Sequence, residues 1–182
     1  MILWQTVDGA FLSQLEREWL KDAAGSIAEL FDSPLLVNIG IFKGASMHCL
    51  RAGAPEATLV GIDCATRELQ GRTMLDAEVI CKDTRQMGSW ARPIHFLFVD
   101  GGHRYEVVKS DIKNFGKHVV VGGIIAFHDY TRSESYLEKR REREPGRCAL
   151  GVRQAVDELC TESQGWEPLK IIDSIKAFWR VQ

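Results

Sequence analysis

Short apolar segments that alternate with helix-like segments are the feature of this sequence that most constrains its fold. Helix-like stretches lie at 45–52, 66–77 and 105–117. Uninterrupted apolar runs are typical of strands buried on both faces of a parallel sheet, and their alternation with helices favours right-handed crossovers. The sequence therefore predicts an α/β fold with a doubly wound, mostly parallel sheet. Its first five strands are expected at 35–39, 58–63, 78–82, 94–99 and 123–127, the last after a turn at Gly122–Gly123.

The two ends of the chain complete this pattern. Residues 7–31 carry apolar positions at close to a 3.6-residue period, which predicts one amphipathic helix or two short ones. A further helix is expected at 152–160. Two apolar runs follow it, at 169–173 and 176–181, and they predict a C-terminal antiparallel hairpin with its turn at Ser174–Ile175.

The domain organisation follows from the absence of a linker or an internal repeat. We expect residues 1–182 to form a single domain that begins with a helical segment at 1–31. The stretch at 132–147 is too rich in charged residues to belong to a core, so we expect it to form a surface loop or a lid.

The composition excludes several classes of protein. Lysine plus arginine number 23 and aspartate plus glutamate 25, which gives a net charge of −2, and the pI is about 6.2. A nucleic-acid-binding protein usually carries a basic surplus, so we expect no nucleic-acid partner. The uncharged stretch at 119–128 is far shorter than the ~18–20 apolar residues of a membrane span. Five cysteines without a CxxC pair and an N-terminus unlike a secretory signal favour reduced thiols in a cytoplasmic protein.

Polar residues and glycines gather where the predicted strands end. Because the carboxyl ends of parallel strands meet at one edge of a sheet, and ligands bind beyond that edge, these residues are the candidates for function. In chain order they are Asn38, Gly40, Asp63, Asp83, Asp100, His103, His128 and Asp129.

The turn after the first strand favours a nucleotide-like ligand. Gly40 lets the backbone approach a ligand, and Gly44 opens a helix whose free N–H groups attract negative charge. Asp63, about twenty residues further on, is placed to accept two hydrogen bonds from a ribose diol; alternatively it caps the helix that follows. The turn lacks the third glycine of a dinucleotide fingerprint, which counts against a nicotinamide-dependent oxidoreductase.

Four motifs together resemble the class I S-adenosylmethionine-dependent methyltransferases. They are VNIGIFKGAS at 37–46, VGID at 60–63, FVDGGH at 98–103 and GGIIAFHD at 122–129. The resemblance is strongest to the metal-dependent small-molecule O-methyltransferases of the macrolide-sugar and catechol type. It implies a Rossmann-like, seven-stranded sheet whose last strand is antiparallel, with S-adenosyl-L-methionine as the cofactor.

The resemblance also implies which residues bind this cofactor. The turn from Gly40 to Gly44 would border its methionine half, Asp63 would hold the ribose hydroxyls, and Asp83–Thr84 would lie near the adenine. The family usually has an acidic residue where this chain has Asn38, which offers no charge to the ammonium end of the cofactor. The full set of expected cofactor-binding residues is Asn38, Gly40, Phe42, Lys43, Gly44, Ser46, Asp63, Asp83, Thr84 and Asp100.

The ends of the fourth and fifth strands predict a divalent-metal site formed by Asp100, His128 and Asp129. Carboxylate oxygens suit Mg²⁺, and a histidine ligand would favour Mn²⁺. In the family that this chain resembles, the metal holds the hydroxyl of the acceptor and lowers its pKa. Those relatives usually have an acid or an amide at the position of His128.

His103 is the candidate general base, with Asp100 as the second catalytic residue. An imidazole near its ordinary pKa can accept a proton from a bound hydroxyl; alternatively His103 anchors the Asp100 loop through a hydrogen bond. Asp111, on the helix that follows, either supports the site indirectly or is solvated.

The proposed activity is therefore metal-assisted O-methylation of a small-molecule hydroxyl acceptor. The alternatives are a metal-dependent hydrolase on the same fold and a non-catalytic cofactor-binding relative. Little of the chain is left to build an acceptor pocket, so we also expect a homo-oligomer.

Overall fold

The computed structural model describes residues 11–65, 76–131 and 150–182. Residues 1–10, most of the helix expected at 66–77 and the charged segment at 132–147 lie outside these ranges. The described helices are α1 (Gln14–Leu30), α2 (Ala45–Gly53), α3 (Tyr105–Phe115) and α4 (Leu150–Leu159). The strands are β1 (Leu35–Ile39), β2 (Thr58–Asp63), β3 (Glu78–Cys81), β4 (Ile94–Val99), β5 (Val119–Phe127), β6 (Trp166–Pro168) and β7 (Lys176–Arg180).

The seven strands form one sheet in the order β3-β2-β1-β4-β5-β7-β6. The pairs among β1 to β5 are parallel, whereas β7 is antiparallel to both β5 and β6. The predicted doubly wound sheet with an antiparallel C-terminal hairpin is confirmed. The chain leaves β1 in one direction to build β2 and β3, and β4 returns to the other side of β1. The crevice between the ends of β1 and β4 is where such sheets bind ligands.

Both faces of the sheet are covered, which explains why its central strands are apolar throughout. On one face Leu36 and Phe98 pack with Leu20 of α1 and Leu50 of α2. The other face packs against α3 and α4 through a second cluster, which includes Val37, Leu97, Ile112, Phe115 and Val156. Among the helices in the described ranges, none combines the length and the apolar character needed to cross a bilayer.

Two strands differ from the sequence prediction by more than one residue at a boundary. β5 begins at Val119 rather than 123, because Val119 already pairs with Ile94 and the register then shifts before Phe96. The expected Gly122–Gly123 turn is an irregularity inside that strand, with Gly122 at φ 81°.

The first strand of the hairpin is Trp166–Pro168, so its expected position at 169–173 is wrong. The apolar residues there form the approach to a tight turn, in which Ile172 bridges to Ile175 and Asp173 has a left-handed φ of 51°.

Candidate active site

A cavity of about 590 Å³ opens at the carboxyl edge of the sheet. Its walls come from the ends of β1, β2 and β4, the segment after β3, and the first half of α3. Seven of the residues expected from the sequence line it: Gly40, Phe42, Asp63, Asp83, Thr84, Asp100 and His103. The other expected residues, Asn38, Lys43, Gly44, Ser46, His128 and Asp129, are not part of its lining.

The turn after β1 is closely packed against the end of β4. Gly40 has a φ of 87°, and a Cβ atom at this position would lie 2.1 Å from the carbonyl oxygen of Asp100. Only glycine fits such an approach without moving the backbone. Asp63 holds the same turn from the other side, because its Oδ2 accepts the backbone N–H groups of Ile41 at 2.8 Å and Phe42 at 3.1 Å.

Asp63 therefore has a structural task in addition to its place in the cavity wall. Its Oδ1 accepts the N–H of Ala65 at 2.9 Å, a contact of the kind expected of a cap. The ribose-binding role expected for Asp63 stays a prediction, since its carboxylate is half-exposed at the cavity.

Asn38 is completely buried under the turn. Its Nδ2 donates to the carbonyl of Gly40 at 2.8 Å, and its Oδ1 has no hydrogen-bond partner among the described residues. Gly44 has a φ of 84° directly before α2, and Ser46 is buried in the first turn of that helix. Lys43 lies over the ring of Phe42, with Nζ 5.5 Å from its centroid. These four residues therefore belong to the turn or pack against it, and none of them lines the cavity.

At the carboxyl ends of β4 and β5, a buried histidine is surrounded by three carboxylates. Nδ1 of His128 lies 3.0 Å from Oδ1 of Asp100 and 3.1 Å from Oδ1 of Asp129. Its Nε2 lies 3.3 Å from Oε2 of Glu16 in α1. Glu16 also accepts the backbone N–H of Ser174 at 3.0 Å and its hydroxyl at 2.6 Å. The N-terminal helix and the C-terminal hairpin are thereby fixed to this end of the site.

Burial and pairing set the protonation states in this cluster. Burial alone would lower the pKa of His128, but its bonds to Asp100, Asp129 and Glu16 outweigh burial and raise that pKa to about 12. Burial would likewise raise the pKa of Glu16, yet hydrogen bonds from His128 and Ser174 lower it to about 2. His128 is therefore an imidazolium held among carboxylates.

The two aspartates of the cluster are shifted in opposite directions. For Asp129, contacts with His103 and His128 overcome burial and lower its pKa. For Asp100, burial and the charge of Asp129 outweigh the attraction of His128 and raise its pKa. Asp100 still keeps 24% of its side chain exposed, whereas Asp129 keeps 3%.

Asp100, His103 and Asp129 form the group that could hold a metal ion. One ligand atom from each lies within 4.8 Å of the others. Nε2 of His103 is 2.7 Å from Oδ2 of Asp129, without the alignment of a hydrogen bond. The expected pair of aspartates is thus brought together, and His103 joins it. His128 as a ligand stays a prediction, and both of its ring nitrogens already face carboxylates.

At the end of the cavity near β3, the contacts of the two aspartates differ from those in the His128 cluster. Asp83 caps the short 3-10 turn Thr84–Gln86, and both of its oxygens bind the guanidinium of Arg85, at 3.0 and 2.6 Å. Asp111 of α3 is completely buried and lines the cavity, and neither of its oxygens has a hydrogen-bond partner among the described residues. Burial raises the pKa of Asp111 to about 6, although the nearby Thr84 hydroxyl opposes this.

Sequence reasoning did not single out Glu16 or Ser174. The Ser13–Glu16 spacing is a capping-box signal, and both of its hydrogen bonds are present. That signal explains where α1 begins, but the bonds to Ser174 join residues 158 positions apart, so no local pattern could have indicated them.

A family model described as a methyltransferase domain matches residues 37–130, just over half of the chain. The match extends from β1 to the end of β5 and includes the turn, Asp63 and the Asp100–Asp129 cluster.

Solved structures with the same fold include several O-methyltransferases. One from Bacillus cereus in complex with SAH is 15% identical at a TM-score of 0.69, with 95% of this chain and 84% of that one covered. The O-methyltransferase NovP is 14% identical at a TM-score of 0.69, with coverages of 95% and 82%. The MycE methyltransferase of the mycinamycin pathway, in complex with Mg and SAH, is 14% identical at a TM-score of 0.65. This chain aligns over 98% of its own length and 53% of that of MycE.

Proposed function

Because the chain belongs to the methyltransferase-domain family, we propose that it is an S-adenosylmethionine-dependent O-methyltransferase that acts on a small-molecule hydroxyl with the help of a divalent cation. The observation that carries this proposal is the convergence of Asp100, His103 and Asp129 at one end of the cavity, whose lining includes Asp100 and His103 together with Gly40 and Asp63. A methyl donor and a metal-bound acceptor would meet there.

The cavity suits the cofactor in size and in chemistry. Its volume of about 590 Å³ is within the range of small-molecule sites. S-adenosylmethionine supplies a methyl group on a sulfonium; the acceptor oxygen forms the new C–O bond while the sulfur keeps the electron pair of the broken S–C bond. The turn at Gly40 would border the cofactor in the β1–β4 crevice, and the carboxylate of Asp63 would hold its ribose hydroxyls.

The charges at the end of the cavity near Asp100 favour the binding of a cation. Three carboxylates, from Glu16, Asp100 and Asp129, face the imidazolium of His128, which neutralises one of them. Asp100 and Asp129 would hold the ion, as hard oxygen donors do for Mg²⁺. A divalent cation there supplies Lewis-acid polarisation of the acceptor hydroxyl. The MycE structure, which contains Mg and SAH on the same fold, supports this assignment.

His103 takes the proton of the acceptor hydroxyl. It lies in the cavity wall, and its Nε2 is 2.7 Å from Oδ2 of Asp129, which holds the imidazole beside the ion site. Asp129 thus acts on both the ion and the base.

Isothermal titration calorimetry with S-adenosylhomocysteine (SAH), with and without Mg²⁺, tests the cofactor class before any acceptor is known. We expect 1:1 binding in the micromolar range, and weaker binding by Asp63→Asn. Asp22→Asn, an exposed aspartate paired with Lys21, is the matched control and should bind as the wild type does. If the wild-type protein binds SAH under neither condition, the proposal is wrong.

The acceptor class is tested by transfer of a labelled methyl group to a panel of phenols, catechols and sugar hydroxyls, in Mg²⁺ and in EDTA. We expect methyl transfer to at least one hydroxyl compound in Mg²⁺, and we expect EDTA to stop this transfer. Transfer that is equal in EDTA and in Mg²⁺ contradicts the metal assignment.

A further inference from the structure

Glu16 is a buried carboxylate of α1 whose two oxygens bind two different segments of the chain. Only 2% of the residue is exposed. Its Oε2 lies 3.3 Å from Nε2 of His128, at the end of β5. Its Oε1 accepts the backbone N–H of Ser174 at 3.0 Å and the Ser174 hydroxyl at 2.6 Å. Both oxygens are therefore paired within the fold, as a buried carboxylate requires.

The first partner connects Glu16 to both aspartates of the proposed ion site. Nδ1 of His128 lies 3.0 Å from Oδ1 of Asp100 and 3.1 Å from Oδ1 of Asp129. Because the imidazole ring is rigid, the contact of Glu16 with Nε2 fixes the direction from which Nδ1 reaches the two carboxylates. Hydrogen bonds from such outer partners orient the carboxylates that bind a metal.

The second partner connects Glu16 to the backbone of Asp129. The hydroxyl of Ser174 donates to Glu16 and accepts the N–H of Asp129 at 3.4 Å. The carbonyl of Ser174 accepts the N–H of Tyr130 at 2.9 Å. Asp129 has a left-handed φ of 63°, which a residue other than glycine keeps only where its surroundings hold it. The turn before β7 therefore braces Asp129, and Glu16 holds that turn in place.

Glu16 itself is outside the group that could hold the ion. Among the described residues this group consists of Asp100, His103 and Asp129. Glu16 is also absent from the lining of the cavity. Both Glu16 and Ser174 lie outside residues 37–130, which the methyltransferase-domain model matches. An effect of Glu16 on the ion therefore passes through its two partners.

We propose that Glu16 is a positioning residue for methyl transfer: through its two partners it fixes the geometry in which Asp100 and Asp129 meet the divalent cation. This inference rests on the proposed function, which supplies the cation at the two aspartates. Loss of a partner that orients metal-binding residues typically lowers metal affinity or activity by about 10- to 100-fold.

Calorimetric titration of the full chain with Mg²⁺ compares two variants that disturb Glu16 in different ways. Glu16→Gln keeps the shape of the side chain but removes its charge and one acceptor oxygen, and it should lower the affinity for Mg²⁺ by about 10-fold. Ser174→Ala changes no charge and removes only the hydroxyl between Glu16 and Asp129, so it should lower that affinity by about threefold.

A separate titration with SAH distinguishes positioning from a general structural role. Neither Glu16 nor Ser174 lines the cavity, so the affinity for SAH should stay within about twofold of the wild type in both variants. A structural role alone would lower the free energy of unfolding and leave the Mg²⁺ affinity of the folded protein unchanged. Glu18→Gln, an exposed carboxylate on the same helix, is the matched control and should bind both ligands as the wild type does.

Each outcome decides the inference. Unchanged Mg²⁺ affinity in Ser174→Ala overturns it while the proposed function stands, and this variant decides alone if Glu16→Gln does not fold. A loss in Glu16→Gln as large as the loss in Asp129→Asn also overturns it, because Glu16 would then be a ligand of the ion. If the wild-type protein binds no Mg²⁺, the inference and the metal assignment of the proposed function are both wrong.

Discussion

Glu16 and Asp111 are carboxylates of almost equal burial, at 2% and 0% exposure, that belong to opposite ends of the site. Hydrogen bonds from His128 and Ser174 overcome the burial of Glu16 and lower its pKa to about 2. Burial dominates at Asp111 and raises its pKa to about 6. The difference comes from the partners that the fold provides, because burial acts on both groups in the same direction.

This contrast separates the part of the site that is complete from the part that awaits a ligand. At the Asp100 end, His128 is held by three carboxylates and Glu16 is held by the C-terminal hairpin. At the Asp111 end, the carboxylate faces the cavity without a hydrogen bond from the described residues. A preorganised cluster suits catalysis, whereas an unpaired acceptor suits recognition of a donor that arrives with the ligand.

The largest effect is expected when Asp129 is replaced. Asp129→Asn removes a charge that binds the cation and orients His103, so we expect methyl transfer to fall by about 10³-fold, the rate equivalent of several kcal/mol. Affinity for SAH should stay within about twofold, since Asp129 is not part of the cavity lining. Methyl transfer to an acceptor found in the panel and calorimetry with SAH measure the two effects.

His103→Asn is the companion variant that distinguishes a base from a metal ligand. If His103 acts as the base, this substitution should leave the affinity for Mg²⁺ nearly unchanged, while the rate of methyl transfer falls by about 100-fold. A parallel loss of Mg²⁺ affinity and turnover would instead make His103 the third ligand of the ion.

The elements that sequence analysis located are those whose signal is local. Apolar runs such as Ile94–Val99 are typical of buried strands, and their alternation with helices favours the parallel order that the sheet has. The meeting of Asp100 and Asp129 follows from that order, because β4 and β5 are neighbours. The same argument could not decide between His103 and His128, since both follow strand ends and only side-chain direction separates them.

Asp111 carries a sequence signal of its own. It lies three residues after Val108 and four before Phe115, which places it on the buried face of α3. A carboxylate on an apolar helix face is costly, so this spacing predicts a buried carboxylate that needs a partner and counts against the solvated alternative. The lack of a partner, in contrast, depends on Asp83 and Arg85, which arrive from a distant turn.

The next largest effect is on the free energy of unfolding and concerns Glu16. Its pKa falls from 4.5 to about 2 on folding, so Glu16 contributes stability above pH ~4.5 that is lost as the pH falls towards 2. The full contribution is about 3 kcal/mol. We expect Glu16→Gln to lower the free energy of unfolding at pH ~7 by that order, and by less than half as much at pH ~3. Urea unfolding at both values measures it, with the exposed Glu18→Gln on the same helix as control.

The smallest effect has the opposite sign and concerns Asp111. Its pKa rises from 3.8 to about 6 on folding, so the folded state binds the proton more tightly. Between these values the unfolded chain holds fewer protons, and the free energy of unfolding falls as the pH rises. Relative to Asp111→Asn, the wild-type protein should lose about 2 kcal/mol between pH ~4.5 and pH ~7.5.

Urea unfolding of the two proteins without ligand, at both pH values, measures this difference, with Glu106→Gln as the control for a carboxylate exposed on α3. A difference that does not change with pH would mean that Asp111 is paired in solution, and the contrast with Glu16 would then fail. If the loss is found and saturating SAH reverses it, the ligand supplies at Asp111 the hydrogen bond that His128 and Ser174 supply at Glu16. The two ends would then differ only in when their partner arrives.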